Sequence, residues 1–390
     1  MGKRVKIILQ NLSLIFLGCI VAFILGEIIL RIHNPFAFRV KGDKIVLSAK
    51  EEYIIKNENA KKLDKTIIIR TNTIGFRGEN PPGDFKNYLT TITVGGSTTE
   101  CSLLSEGKTW TDILGKKLKK AFRNIWINNA GFDGHSTFGH IVLMEDYITK
   151  LKPKNVLFLI GINDEVNNEK QRYFEDDKSI MENEIYLKSM KGLGRTLANH
   201  SEFFAVLLNF YRYYKAKVEG VDHDAELDLK RSAFLILPEG AKQRALQKHR
   251  QYLPDYKTRL KKIVKISREN GIDPVFITQP ALYGNAIDDI TDIDLAKIRK
   301  RKTENGELAW ERLELYNDVT RQVGQEENVL VIDLAKEMPK SSRYYYDFSH
   351  YTNEGAEKFA EIIFNYLCPY YAKKYSDYLI YECNTFAGNN

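Results

Sequence analysis

The chain has 390 residues, of which 43% are hydrophobic and 12% aromatic, and its formal net charge is +7 at pH 7. This composition excludes a disordered chain and allows one large domain or two smaller ones, each with a full core. The lysines and arginines are scattered among acidic residues and form no nucleic-acid-binding motif, so we expect no nucleic-acid partner and a solvated surface near anionic lipid or glycan.

The first element in chain order is an apolar segment near the N-terminus. Residues 1–6 are basic, and residues 7–26 then carry no charge, which is about 20 residues and enough to cover ~30 Å of hydrocarbon as a helix. No small-x-small cleavage site follows, and the helical pattern continues from Glu27 to Arg31. We therefore predict a cytoplasmic N-terminus, an uncleaved transmembrane signal anchor over residues 7–30 that contacts the lipid bilayer, and an extracytoplasmic chain beyond it. A cleaved signal peptide is the alternative.

Residues 31–87 are predicted to form a juxtamembrane segment. Thr66–Arg70 has the composition of a strand, and the polar stretch from Asn72 to Gly78 has the composition of a turn. Arg77 in this turn could bind an anionic group or could hold the loop in place, and the structural role is favoured.

From residue 88 the sequence alternates between short apolar strands and helical stretches. The candidate strands are residues 89–94, 125–128, 156–160, 274–278 and 329–332. Nearly continuous apolar strands separated by helices indicate a parallel sheet that is covered on both faces. We therefore predict an α/β fold, three-layer α/β/α with a five-stranded parallel sheet, over residues 88–368, and we expect its site outside the carboxyl ends of the strands.

The alternation breaks in a helix-rich, aromatic insertion over residues 165–251, which is longer than a connection needs. It could be a lid, a substrate platform, a membrane-facing surface or a packing appendage. Residues 369–390 are predicted to be a C-terminal tail. Cys368 and Cys383 could pair if the domain is exported, whereas Cys19 is expected to pack in the membrane and Cys101 in the core.

Polar residues and glycines follow the predicted strands at the positions where such a site belongs. Ser97 stands at a strand-to-helix turn after two glycines, Gly134 follows the second strand, and Asn163 follows the third. Near the end of the chain, Asp347 and His350 are three residues apart in one loop. Acyl transfer by a serine needs a base, a carboxylate that orients the base, and N–H donors for the oxyanion, and these residues can supply all three.

These four blocks, in this order, resemble the SGNH, or GDSL, hydrolase superfamily. The resemblance implies a flavodoxin-like fold in which Ser97 is the nucleophile, Asp347 and His350 complete a catalytic triad, and Ser97, Gly134 and Asn163 form the oxyanion hole. Gly131 is the competing choice for the glycine donor. The family's Gly-Asp-Ser is Gly95-Gly96-Ser97 in this chain. The upstream Asn72-x-x-Gly75-x-Arg77 pattern, the anchor and Thr278-Gln279-Pro280 look like membrane-anchored bacterial members.

The predicted function is that of a membrane-anchored, extracytoplasmic serine esterase that hydrolyses an O-acyl or O-acetyl ester, on a glycan or a small ester substrate, without a cofactor. An O-acyltransferase that uses the same triad, a lipid-directed acylhydrolase, and a non-catalytic scaffold in polysaccharide or envelope assembly are the alternatives. A metal site is disfavoured, because His135 and His140 lack a second ligand pair at zinc spacing. Asp164, beside Asn163, is expected to be structural.

Overall fold

The computed structural model of the chain describes residues 3–36, 40–41, 44–165, 190–218 and 226–383. Much of the predicted insertion, residues 166–189 and 219–225, therefore lies outside the described residues. The chain divides into two compact units: Met1–Ser48 with Tyr173–Asp222, and Ala49–Arg172 with His223–Asn390.

The helices and strands follow one another as a mixed α/β series. The strands are β1 (Val40–Lys41), β2 (Lys44–Ile45), β3 (Glu52–Lys56), β4 (Thr66–Arg70), β5 (Arg77–Gly78), β6 (Leu89–Gly95), β7 (Ile125–Asn129), β8 (Asn155–Ile160), β9 (Asp273–Thr278), β10 (Arg299–Arg301), β11 (Glu304–Asn305) and β12 (Leu330–Ile332). The α-helices are α1 (Lys3–Ile32), α2 (Ser97–Glu100), α3 (Trp110–Ala121), α4 (Thr137–Leu143), α5 (Thr149–Leu151), α6 (Met190–His200), α7 (Glu202–Val218), α8 (Glu239–Arg250), α9 (Leu253–Glu269), α10 (Gly306–Glu326), α11 (Leu334–Glu337) and α12 (Asn353–Lys374).

The central sheet of the second unit has the strand order β12-β9-β8-β6-β7-β5. Its first five strands pair in parallel, in the doubly wound order of a flavodoxin-like fold, and the predicted five-stranded parallel sheet is confirmed. The sixth strand, β5, was not predicted: it is two residues long and pairs antiparallel with β7 at the sheet edge.

The central strands are buried on both faces, as their apolar composition requires. Every residue of β6 and β8 is buried. Because side chains alternate along a strand, Leu157 and Leu159 of β8 pack into the core with α3 and α12, and Val156 and Phe158 point to the opposite face. On the face that carries Leu157 and Leu159, the Trp110 ring of α3 stacks on the Phe359 ring of α12, with ring centroids 4.7 Å apart.

The second unit begins before the expected domain start and continues past the expected domain end. Residues 49–87 belong to it, with β3 and β4 paired as an antiparallel hairpin. The expected tail start at residue 369 falls inside α12, which continues through Pro369 to Lys374. After α12, a disulfide joins Cys383 to Cys368 within that helix.

The first unit contains the apolar N-terminal helix and part of the insertion. Within α1, the 28 residues Val5–Ile32 contain an 18-residue window with a mean hydropathy of 2.6 and are long and apolar enough to cross a membrane, a test that a signal sequence also passes. Helices α6 and α7 belong to the same unit.

Candidate active site

Three side chains from two distant segments form a continuous hydrogen-bonded chain at the carboxyl end of β6. Ser97 is the first residue of α2, directly after β6, and its Oγ lies 2.8 Å from His350 Nε2. His350 Nδ1 lies 2.7 Å from Oδ2 of Asp347. With the Nδ1 proton donated to the carboxylate, Nε2 is the acceptor that can take the hydroxyl proton of Ser97.

The loop that carries Asp347 and His350 is held by its own backbone. Oδ1 of Asp347 accepts hydrogen bonds from the N–H groups of Ser349 (2.8 Å) and His350 (2.7 Å). The Tyr346 N–H donates to the His350 carbonyl, and the Tyr346 ring lies nearly parallel to the imidazole with centroids 5.7 Å apart. One Asp347 oxygen therefore shapes the loop while the other orients the base.

Electrostatics stabilise the charged forms of both members of this pair. Burial alone would raise the pKa of Asp347, but the His350 charge and the hydrogen bonds from His350 and Ser349 lower that pKa below its usual value. Burial opposes a charged His350, yet the facing Asp347, with smaller contributions from Asp133 and Glu100, raises the pKa of the imidazole above its ordinary value. The site therefore favours an imidazolium beside a carboxylate, the ion pair that forms when a serine loses its proton.

Two of the expected oxyanion donors, Ser97 and Asn163, lie at the serine turn. Ser97 opens a helix, so its N–H is not used by the helix itself. The Asn163 amide Nδ2 donates to the His135 carbonyl at 2.9 Å, and a side chain at Gly96 would overlap this amide, so the amide lies against the residue that precedes Ser97. The glycine at position 96, where the family has aspartate, therefore leaves room for the approach of Asn163.

The structure distinguishes the two glycines that could donate to an oxyanion. The Gly131 N–H already donates to Asn129 Oδ1 at 2.8 Å, and a Cβ on Gly131 would overlap the backbone of Thr99 and Glu100. Gly131 is thus a packing residue against α2. Gly134 is exposed, with a φ of +71° that suits glycine, in the turn between β7 and α4.

Two charged residues near the site have structural roles, as the sequence indicates. Arg77 is buried and donates to the carbonyls of Glu100, Cys101 and Leu104, so it holds the loop after the serine helix. Asp164 is buried and accepts hydrogen bonds from the N–H and Oγ1 of Thr137 and from Arg259.

Other potentially reactive groups nearby are held in inert states. Burial lowers the pKa of His140 to about 3, so its ring is neutral, and burial raises the pKa of the Cys101 thiol to about 12. The His135 ring stacks on Phe132. Among the residues that the structure describes, no group of three or more His, Cys, Asp or Glu side chains could hold a metal ion.

Sequence reasoning assigned no contacts to several residues that support the serine turn, including Gln279 of the Thr278-Gln279-Pro280 match. Thr98 Oγ1 donates to Gln279 Oε1, and Gln279 in turn donates to the Tyr351 hydroxyl, which links α2 to β9 and to the loop of His350. A cavity of about 10 Å³ lies beside Ser97. Its lining is Ser97, Thr98, Cys101, Leu103, Leu104, Tyr346, His350 and Tyr351. Only the position of Gln279 directly after a strand could have indicated these contacts.

Comparison with known proteins adds a family match. The sequence model of the GDSL-like lipase/acylhydrolase family matches residues 92–358. Among solved structures, the chain is similar to an acetylxylan esterase from Geobacillus stearothermophilus, with 13% identity over 71% of this chain and 93% of that chain and a TM-score of 0.39. It is also similar to a lipolytic G-D-S-L family protein from Desulfitobacterium hafniense DCB-2, with 11% identity over 70% and 97% of the two chains and a TM-score of 0.37. No curated protein matches the sequence.

Proposed function

Because the chain belongs to the GDSL-like lipase/acylhydrolase family, we propose that it is a membrane-anchored, extracytoplasmic serine esterase that removes a small acyl group, such as acetyl, from a glycan. The observation that carries the proposal is the hydrogen-bonded chain from Asp347 through His350 to the Ser97 hydroxyl. Family membership supports ester hydrolysis, and the site supplies the residues for it.

The reaction follows from the geometry. His350 Nε2 takes the Ser97 proton while Oγ attacks the acyl carbon, and the Ser97 N–H, the Gly134 N–H and the Asn163 amide hold the oxyanion of the tetrahedral intermediate. His350 then returns the proton to the departing alcohol, which leaves an acyl-enzyme on Ser97. A water molecule activated by the same imidazole attacks the acyl-enzyme, releases the acid and restores the serine. Asp347 stabilises the imidazolium at both stages.

The size of the cavity beside Ser97 favours a short acyl group. At about 10 Å³ it has room for about one water-sized or methyl-sized group. Leu103, Leu104 and Cys101 make part of its wall apolar, which suits the methyl of an acetyl ester. A longer acyl chain would need these buried side chains to move.

Three observations support the membrane-anchored, extracytoplasmic location. Disulfides persist in oxidising compartments, and Cys368 and Cys383 form one. The basic residues Lys3, Arg4 and Lys6 precede the apolar helix, which favours a cytoplasmic N-terminus. The last turns of α1 also contact α7, through Glu27 and Phe23, and a cleaved signal peptide would not keep such contacts.

The test is turnover of a series of esters by the full-length protein and by Ser97→Ala, with Ser376→Ala on an exposed helical turn as the matched control. We expect Ser97→Ala to lose at least about 10⁴-fold in kcat and the control to keep full activity. Acetyl esters should be cleaved faster than butyryl or octanoyl esters, with free acetate as the product. Equal activity of Ser97→Ala would refute the assignment, and acetate that appears only on an added saccharide would replace hydrolysis by transfer.

A further inference from the structure

Helix α7 in the first unit exposes an apolar stripe. Leu207, Phe210, Tyr211 and Tyr214 are spaced i, i+3, i+4 and i+7 and therefore share one helix face. Their exposed fractions are 50%, 47%, 62% and 68%. Ala205 and Val206, one turn earlier, are buried. An apolar helix face of this kind marks a surface that contacts something other than water.

The start of α7 packs against the apolar helix α1. The ring of Phe23 lies 5.3 Å from the ring of Phe203 and 5.5 Å from that of Phe204, measured between centroids. The Phe203 ring also lies 3.3 Å from where a Cβ on Gly26 would stand, so the glycine admits close approach. These contacts fix which part of α1 the beginning of α7 touches.

Polar contacts fix the same junction. The Glu27 carboxylate accepts hydrogen bonds from the Ser201 hydroxyl (2.7 Å) and from the N–H groups of Glu202 (3.2 Å) and Phe203 (3.1 Å). It therefore caps the first turn of α7, where unpaired N–H groups and the helix dipole favour an anion. The Arg31 guanidinium donates to the His200 carbonyl at 2.8 Å. Two charged side chains of α1 thus bind the α6–α7 junction.

The depth of the first turn of α7 in the membrane follows from its contacts with the anchor. The charge-free residues 7–26 span about the thickness of the hydrocarbon, so Phe23 lies about 5 Å inside its outer edge at 1.5 Å per residue. Phe203 and Phe204 pack against Phe23 and so lie near that edge, and the exposed stripe begins one turn further along α7. Tyrosine is enriched at this depth in membrane proteins.

We propose that α7 is a second lipid-contacting element, in which Leu207, Phe210, Tyr211 and Tyr214 lie in the bilayer interface at the carboxyl end of α1. The proposal rests on the membrane anchor of the proposed function. Among the roles that the sequence leaves open for the insertion, it assigns this segment to the membrane-facing one. The bound partner is the lipid surface itself.

The experiment uses spin labels on the full-length protein in vesicles of phosphatidylcholine and phosphatidylglycerol. Labels are placed by Tyr211→Cys, by Ile24→Cys on the exposed face of α1, and by Lys265→Cys on the exposed surface of α9, each combined with Cys19→Ala. The native Cys101 is buried, and its raised thiol pKa keeps it unlabelled. The measurement compares accessibility to oxygen, which concentrates in lipid, with accessibility to a water-soluble nickel chelate.

We expect the ratio of oxygen accessibility to nickel accessibility to be several-fold higher for the labels at positions 211 and 24 than for the label at position 265. If nickel reaches the label at position 211 as well as it reaches the label at position 265, while position 24 is still in lipid, the α7 proposal is overturned and the anchor is not. Shielding of position 211 from both reagents also overturns it, because a protein partner or a second copy then covers the stripe. Nickel access at position 24 instead removes the anchor, and the α7 proposal with it.

Discussion

At the scale of single residues, the imidazole of His350 is influenced by negative charges other than that of its partner Asp347. Asp133 and Glu100 add to Asp347 in raising the pKa of His350. The base must be neutral to take the Ser97 proton, so activity should fall as the pH drops through a His350 pKa that lies above its ordinary value of about 6.5.

The variant Asp133→Asn should move the acidic limb of the kcat/KM profile to lower pH by a few tenths of a unit. Removing the negative charge destabilises the imidazolium, lowers the pKa of His350, and leaves more neutral base at a given acidic pH. The pH profile of ester hydrolysis measures this, with Glu269→Gln, an exposed change at the end of α9, as the control. A limb that stays in place or moves to higher pH contradicts the assigned role of Asp133.

The buried ion pair of Asp164 and Arg259 makes a prediction about stability. The buried Arg259 guanidinium lies 3.3 Å from Asp164 Oδ1. Asp164→Ala removes this carboxylate and leaves the guanidinium buried without it. The loss should lower the free energy of unfolding by about 3–5 kcal/mol. Chemical denaturation measures it, and Glu269→Ala, which removes an exposed pair with Lys265, should cost less than about 0.5 kcal/mol. Equal stability of the two variants would show that the buried pair contributes nothing.

The sequence could predict the residues that meet at Ser97, because each follows a strand or lies in one short loop. Asn163 comes directly after β8, and Asp347 and His350 share a loop whose bonds are local. The sequence left Gly131 and Gly134 as alternatives because the choice depends on Asn129 Oδ1, a side-chain acceptor that occupies the Gly131 N–H. The effect of Asp133 on His350 depends on packing between distant loops and has no local sequence signal.

At the scale of secondary-structure elements, the five parallel strands were predicted to within one residue at either end. Burial on both faces gives them uninterrupted β-branched and apolar runs, which are a strong signal. The edge strand β5 has only two residues, and it exists because it pairs with β7, so no run of sequence could indicate it. The end of α12 was missed because the helix continues through Pro369, a residue that usually marks a helix end.

The disulfide that follows α12 gives a prediction at the same scale. Cys368 and Cys383 are 15 residues apart, and closing a loop of that size stabilises a fold by about 3 kcal/mol in the chain-entropy account. The free energy of unfolding of Cys383→Ser should therefore be about 3 kcal/mol lower than that of the oxidised wild type. The variant should unfold at a lower denaturant concentration. Reductant should bring the wild type to the level of the variant and leave the variant unchanged. Wild-type stability that is insensitive to reductant contradicts a stabilising bond.

At the scale of the whole molecule, the chain combines an esterase-type α/β unit with a smaller unit that contains the apolar helix α1. The two units are built from interleaved segments, because the described residues 190–218 belong to the unit of the N-terminus although the chain on either side of the insertion belongs to the second unit. Such long-range assembly has no periodic signal in the sequence, which is why the sequence left the role of the insertion open.

The proposed topology predicts which positions an impermeant thiol reagent can reach in intact bacterial cells that express the chain. Lys373→Cys, near the end of α12, should be labelled from outside, and Lys3→Cys should be labelled only after lysis, because the basic N-terminus stays cytoplasmic. Both variants carry Cys19→Ala so that the added thiol is the reactive one. Labelling of the N-terminal position alone in intact cells would reverse the proposed orientation.

The central claim is that Ser97 is activated by His350, and a fluorophosphonate probe tests it most directly. Mass spectrometry of the labelled full-length protein should find one covalent adduct on Ser97. Labelling should be lost in Ser97→Ala, strongly slowed in His350→Ala and retained in Ser376→Ala. An adduct on another residue, or undiminished labelling of Ser97→Ala, would contradict the account.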